Sequence, residues 1–170
     1  MDLDFDVVEL NAADHPEAGE TVPDFTRPLV NDEFWEDVSL SEVCAESDDP
    51  VVLVFHPMDG AFPATYIWNE IRDRAWHEDA TVVGLSISTP YAHKDLLEER
   101  DIEGDYRVYS DPGNGVAEQY GIAMELDGMT GIAEPRPSVF VLDGDRTVQY
   151  AWVADEWPDF PDYDTVEAQL

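Results

Sequence analysis

Few residues in this chain offer a starting point for chemistry. There is one cysteine, Cys44, and there are four histidines, His15, His56, His77 and His93. A lone thiol is a nucleophile only as its thiolate. Cys44 is flanked by Glu42, Glu46, Asp48 and Asp49, and negative neighbours disfavour the thiolate. This predicts a pKa above the free value of about 8.5 and an inert, partly buried thiol. A single cysteine also excludes an internal disulfide, a CxxC redox pair and a thiolate zinc site. The histidines fall in different predicted elements, without the i, i+4 spacing of a helix-borne metal site. His56 and Asp59 have the types and spacing of a base and its orienter, yet no nucleophile motif accompanies them. A packed imidazole satisfied by its turn is the plainer reading of His56. Asp143-Gly144-Asp145 lacks the remaining ligands of a calcium loop and reads as a hairpin turn. Asp111-Pro112-Gly113-Asn114-Gly115 lacks the lysine of a phosphate loop and reads as a helix entrance. Neither a metal nor a cofactor is expected.

The elements that would position these residues centre on Val51 to Asp73. Val51–Phe55 is a β-branched apolar run, the pattern of a strand covered on both faces. The turn residues His56 to Gly60 break it. After Pro63 the apolar spacing turns helical, with Ile67, Ile71 and Ala75 four apart and Trp68 alongside. A strand that turns tightly into a helix aims free backbone N–H groups at that corner. Upstream, Phe5–Leu10 and Phe34–Leu40 alternate as short strands, and Ser39 with Glu42 fits a capping box for a helix carrying Cys44. Downstream, Ala80–Ser88 is a second buried strand, and Thr89-Pro90 starts a helix running to about Arg100. Tyr106–Ser110 is a short strand, and Asp111-Pro112 caps a helix that ends at Gly121. Residues 122–137 read as irregular. Ser138–Leu142 and Thr147–Val153 form a hairpin. The tail around Trp157, Phe160 and Tyr163 is read as packing back on the sheet, with one helical turn after it. Strands alternating with helices and then a hairpin predict an α/β domain with a mixed sheet.

Composition bounds the classes of function. The 170 residues are read as one domain, 1–170, with a leader at 1–20 and a tail at 156–170; such a length buries roughly two-thirds of the unfolded surface. An apolar fraction of 44% and five tryptophans argue for a folded globule. Forty acidic residues against eight basic ones give a net charge of -32, a balance resembling cytosolic proteins of salt-accumulating halophiles. With no basic patch to displace counterions, nucleic acid and anionic membrane are disfavoured as partners. No stretch approaches the about 18 apolar residues of a membrane span. No basic residue precedes Arg27 and no long apolar core follows the start, so no signal peptide is expected and a cytoplasmic location is.

The stretch from Phe55 to Asp73 resembles the active-site segment of peroxiredoxins. There an aromatic–proline pair is followed by Pro-x-x-x-Thr-x-x-Cys and later by Arg-Asp. Phe55, Pro57 and Arg72-Asp73 match, but Ala61 stands at the threonine position and Ala64 at that of the peroxidatic cysteine. Against the thioredoxin Cys-x-Pro-Cys, Ala61-Phe62-Pro63-Ala64 keeps the proline and neither sulfur. Thr21–Thr26 is similar to the family's opening, Gly84–Ala92 to its Gly-Ile-Ser segment, and Ser110–Gly121 to its Asp-Pro helix. The resemblance implies a thioredoxin-like fold, a central mixed sheet flanked by helices with a peroxiredoxin-type N-terminal extension. It also implies descent from thiol peroxidases. The family arginine three residues before Phe140 would be Pro137, with Arg136 one residue upstream. A one-residue shift in an extended segment turns the side chain to the other face, so Arg136 is read as a surface arginine. The alternative is that it still reaches the site. Pro137 falls at the thioredoxin cis-proline position, so Arg136–Pro137 is expected to be cis. The site positions Pro57, Ala61, Ala64 and Pro137 are therefore read as vestigial. The function expected is a non-catalytic binding module. A protein or peptide would dock at the vestigial pocket, rimmed by Phe62, Tyr66 and Trp68, or a second copy on a dimer face. The alternative is an antioxidant oxidoreductase acting through Cys44 or a partner's thiol.

Overall fold

The computed structural model describes residues 6–125 and 129–170. In chain order the strands are β1 (Val8–Glu9), β2 (Thr26–Val30), β3 (Trp35–Ser39), β4 (Val51–Phe55), β5 (Thr81–Ser86), β6 (Arg107–Ser110), β7 (Ala123–Met124), β8 (Glu134–Pro135), β9 (Ser138–Leu142), β10 (Val148–Val153) and β11 (Glu156–Trp157). The helices are α1 (Leu40–Glu46), α2 (Phe62–Asp73), α3 (Pro90–Glu99), α4 (Gly115–Gln119) and α5 (Tyr163–Glu167), with a 3-10 turn at Trp76–Glu78.

Seven strands form the central sheet in the order β10-β9-β4-β5-β6-β2-β3. β4, β5 and β6 run parallel, while β9 pairs antiparallel with β4, and β2 antiparallel with β6. The sheet is mixed, as the alternation of elements predicts. β4 is central and all five of its residues are buried. Because side chains alternate across a strand, Val51, Leu53 and Phe55 enter one apolar layer, with Cys44, Tyr109, Tyr120 and Phe140. Val52 and Val54 enter the opposite layer, with Ile67, Trp68 and Ile71 of α2 and Leu96 and Leu97 of α3. Helices therefore cover both faces, and α1 and α2 lie on opposite ones.

Local chemistry sets the element ends. Ser39 and Glu42 form the expected capping box on α1. The Thr89 hydroxyl accepts from the Ala92 N–H to open α3, with Pro90 at its first position. The Asp143 carboxylate accepts from the backbone N–H groups of Asp145 and Thr147, which closes the β9–β10 turn. α4 begins later than the sequence suggests, at Gly115, because Asn114 takes a left-handed conformation. Asp111 still serves it, accepting from the Val116 N–H at 2.8 Å. β2 was not anticipated, since Pro28 lies inside it; β3 and β6 flank it, and the proline sits opposite Asp37 of the edge strand β3.

Three further expectations need correction. The first strand is only Val8–Glu9, its proposed start at Phe5 lying outside the described residues, as do 126–128 of the irregular stretch. It pairs with β11, so leader and tail clasp each other (Val8 opposite Trp157). The Arg136–Pro137 bond is trans; among the described residues the cis bond is Trp157–Pro158. Residues 122–137 also carry order, since β7 and β8 pair antiparallel. No helix among the described residues is long and apolar enough to cross a membrane.

Candidate functional site

The corner where β4 gives way to α2 is built from backbone more than from reactive side chains. Ala61 is the N-cap of α2 and supplies no side-chain cap, and Pro63 lies in the first turn. Ala64 is fully buried. Pro57 and Pro137 are buried as well. The loop is held from outside: the Glu134 carboxylate, on β8, accepts from the Met58 N–H at 2.9 Å, and the Ser88 hydroxyl accepts from the Asp59 N–H at 2.8 Å.

Behind this corner lies a polar cluster that the sequence did not assemble. Asp59 Oδ1 is 2.8 Å from His56 Nε2, and Asp59 Oδ2 is 2.6 Å from His93 Nδ1. Both imidazoles are wholly buried, and the Asp59 side chain is only 8% exposed. The second nitrogen of His56, Nδ1, faces the indole N–H of Trp68 at 3.3 Å, and that of His93, Nε2, faces the Tyr109 carbonyl at 2.9 Å. The indole only donates, so His56 Nδ1 is bare and its proton sits on Nε2, which makes the ring neutral. His93 faces a carboxylate and a carbonyl, both acceptors, so both of its nitrogens carry hydrogen and the ring is an imidazolium. The Ser86 hydroxyl adds a donor to Asp59 Oδ1 at 3.2 Å.

The electrostatics of Asp59 and His56 follow from these contacts. Burial pushes the Asp59 carboxyl up, but hydrogen bonds from His56 and His93, and the charge of His93, outweigh it and hold it well below the usual carboxylate range. Burial holds the His56 imidazole below its ordinary value, against the opposing hydrogen bond to Asp59. A histidine with a lowered folded pKa refuses a proton that the unfolded chain accepts. Stability therefore falls as pH drops below the unfolded value of about 6.5. The His56 contribution is read as a difference: the urea midpoint of wild type should fall relative to that of His56→Gln between pH 7 and 5. Surface carboxylates shed self-repulsion on protonation at lower pH and act in the opposite sense, so this upper window is the diagnostic one.

The histidines expected to stay apart are therefore joined in part: His56 and His93 share Asp59, whereas His15 and His77 lie elsewhere. His93 could have been read from spacing, because positions 93, 96 and 97 are all buried on one face of α3. Among the described residues no group of three or more His, Cys, Asp or Glu could hold a metal ion. The Ser86 hydroxyl is buried and donates to Asp59, with no hydrogen bond to a histidine nitrogen, and the cluster's hydrogen bonds are all internal.

Cys44 is 1% exposed and packs on the face of the sheet opposite α2. Burial, more than the neighbouring acids, pushes its thiol up to about 11; Arg146 opposes the shift, while Asp143 and Asp24 add to it. The direction matches the sequence reading, but the main cause differs. Arg136 is no surface residue: it is 5% exposed, and its Nη1 donates to the carbonyls of Asn11 and Ala154 at 3.0 and 3.3 Å. Trp68 leaves the aromatic rim, being fully buried under the sheet. Phe62 and Tyr66 remain near the surface, Tyr66 at 56% exposure. The tail joins them, with Phe62 6.2 Å from Trp157 and Tyr66 6.1 Å from Phe160 between ring centroids. Trp157 and Phe160 thus meet α2, and Phe160 and Tyr163 pack against the layer that α2 forms with the sheet.

Comparison with known proteins is consistent with this frame. A thiol peroxidase from Staphylococcus saprophyticus is 26% identical over 147 residues, which is 86% of this chain and 83% of that protein. The crystal structure of peroxidoxin BcpB from Mycobacterium tuberculosis superposes with a TM-score of 0.72 at 29% identity, covering 91% of this chain and 95% of the other. The thiol peroxidase from Chromobacterium violaceum, at 19% identity and a TM-score of 0.73 over 94% and 89% of the two chains, shares the fold. The described elements thus form the thioredoxin-like α/β architecture of peroxiredoxins, a mixed sheet flanked by helices. The profile of the AhpC/TSA family matches residues 18–151, and the chain belongs to that family.

Proposed function

We propose that this protein keeps the peroxiredoxin frame without thiol-peroxidase chemistry and serves as a non-catalytic binding module. The observation that carries the reading is the separation of the thiol from the frame. Ala61 and Ala64 occupy the start of α2, where the family resemblance puts threonine and the peroxidatic cysteine, and no atom there can attack a peroxide oxygen. The one sulfhydryl is sealed in the opposite layer with its thiol pushed up to about 11, so thiolate is scarce at neutral pH. The partner is a protein or peptide that meets the aromatic edge of Phe62 and Tyr66, an edge widened by Trp157 and Phe160. The charge of -32 supports a location in the cytoplasm of a salt-accumulating cell of haloarchaeal type, where screening tames self-repulsion.

Peroxide consumption at molar salt with excess dithiothreitol, beside Cys44→Ser, tests the loss of chemistry. Wild type and variant should both match the reductant background. Turnover in wild type that vanishes in Cys44→Ser would make Cys44 a working nucleophile and end the non-catalytic reading.

A further inference from the structure

Arg136 has a committed side and an empty side. Nη1 holds the carbonyls of Asn11 and Ala154. Nε is buried with no hydrogen-bond partner, and among the described residues Nη2 makes no hydrogen bond either. Of these two nitrogens Nη2 is the one open to a ligand, a charged donor without an acceptor. In a chain with forty acidic residues, that vacancy stands out: Arg27 and Arg74, by contrast, pair with Asp111 and with Glu70 and Asp164.

The same side chain lines a cavity of about 580 Å³, within the size range of small-molecule sites. Leu10, Ala123 and Met124 give the wall apolar surface, and Glu9, Glu118 and Glu125 give it negative charge. Nε is closed to solvent, whereas Nη2 is not among the fully buried atoms, so Nη2 is the nitrogen a ligand meets first. A plain anion gains from Nη2 but is repelled by three glutamates. A plain cation has the reverse problem. A molecule carrying both groups satisfies the whole wall.

We propose that this cavity binds a small zwitterion of the α-amino-acid type with an apolar side chain. The carboxylate accepts from Nη2 of Arg136, the ammonium faces the glutamates, and the side chain lies against Leu10 and Met124. None of His56, Asp59, Ala61 or Ala64 lines the cavity, so the site stands or falls independently of the proposed function.

Calorimetric titration at high salt with methionine, acetate and methylammonium, each as the probe, tests it. Methionine should give saturable heat, with acetate and methylammonium at least about tenfold weaker. Arg136→Lys keeps the charge but withdraws the guanidinium donor at Nη2, and should weaken methionine about tenfold. Glu118→Gln, at an exposed position of α4, should weaken methionine while strengthening acetate. That opposite pair of shifts is one a merely structural role does not produce, and it carries the test should Arg136→Lys fail to fold. No saturable heat with methionine, acetate binding as tightly as methionine, or methionine binding unchanged in Glu118→Gln each overturns the proposal.

Discussion

Asp59→Ala should lose about 3–5 kcal/mol of folding stability, because it strands a buried cation and a second buried donor at once. His93 holds a proton on each nitrogen to serve Asp59 and the Tyr109 carbonyl, and His56 Nε2 donates to the other carboxylate oxygen. Removing the carboxylate leaves both rings facing a void. Asp59→Asn behaves differently. Its carbonyl oxygen can still accept from His56, and its amide can donate to His93 Nδ1 once that nitrogen is bare. His93 then becomes neutral, keeps its proton on Nε2 for Tyr109, and every hydrogen bond survives. The asparagine variant should therefore cost about 1 kcal/mol, the scale of a single neutral hydrogen bond. Urea denaturation gives the two magnitudes. Imidazole ¹⁵N spectra give the mechanism: His93 should show two protonated nitrogens in wild type and one in Asp59→Asn. A His93 carrying one proton in wild type, or equal losses in both variants, would defeat the ion-pair assignment.

Trp68→Ala should cost a similar about 3–5 kcal/mol, for two reasons that can be separated. The ring is wholly buried, packs edge-on to Tyr106 at 5.7 Å, and gives its N–H to His56. Its loss opens a cavity between α2 and β5 and leaves His56 Nδ1 without a donor. Trp68→Phe refills much of the volume but not the donor, so its smaller loss isolates the hydrogen bond. The ring lies so close over Gly84 that a Cβ there would collide with it. Gly84→Ala should thus be destabilising by about 1–3 kcal/mol alone, as overpacking is, and close to neutral once Trp68 is alanine. The double-mutant cycle should show that coupling. Additive losses would mean that the ring can shift away and that Gly84 is not shaped by it.

The architecture was legible because it rests on local rules. Val51–Phe55 has the unbroken β-branched run of a strand covered on both faces. Ser39–Glu42 and Thr89–Pro90 carry their helix starts in adjacent residues, and the Asp143 turn needs nothing beyond its own hairpin. These signals act over four or five residues, and the tertiary structure kept them. The resemblance to peroxiredoxins rests on the same local stretches, and the family match bears it out.

Where the reading missed, the deciding contact was distant in sequence. Asp59 joins His93 across thirty-four positions, because α3 packs against β6 and β2 with its inner face toward the sheet. Trp68 counted as rim on the sequence, since only the packing of α2 over Gly84 shows which side of the helix is covered. Arg136 read as a surface residue because acidic composition makes every arginine look paired; the leader and the end of β10 bury it with their carbonyls instead. The Cys44 thiol is pushed up as the sequence suggested, though its neighbours in sequence matter less than the layer that encloses it. Sequence by itself determined the elements, the order in which they alternate and the absence of sulfur at the head of α2. Only the tertiary structure decided which polar groups meet out of water, because burial and its electrostatic consequences are set by chain segments that are neighbours in space alone.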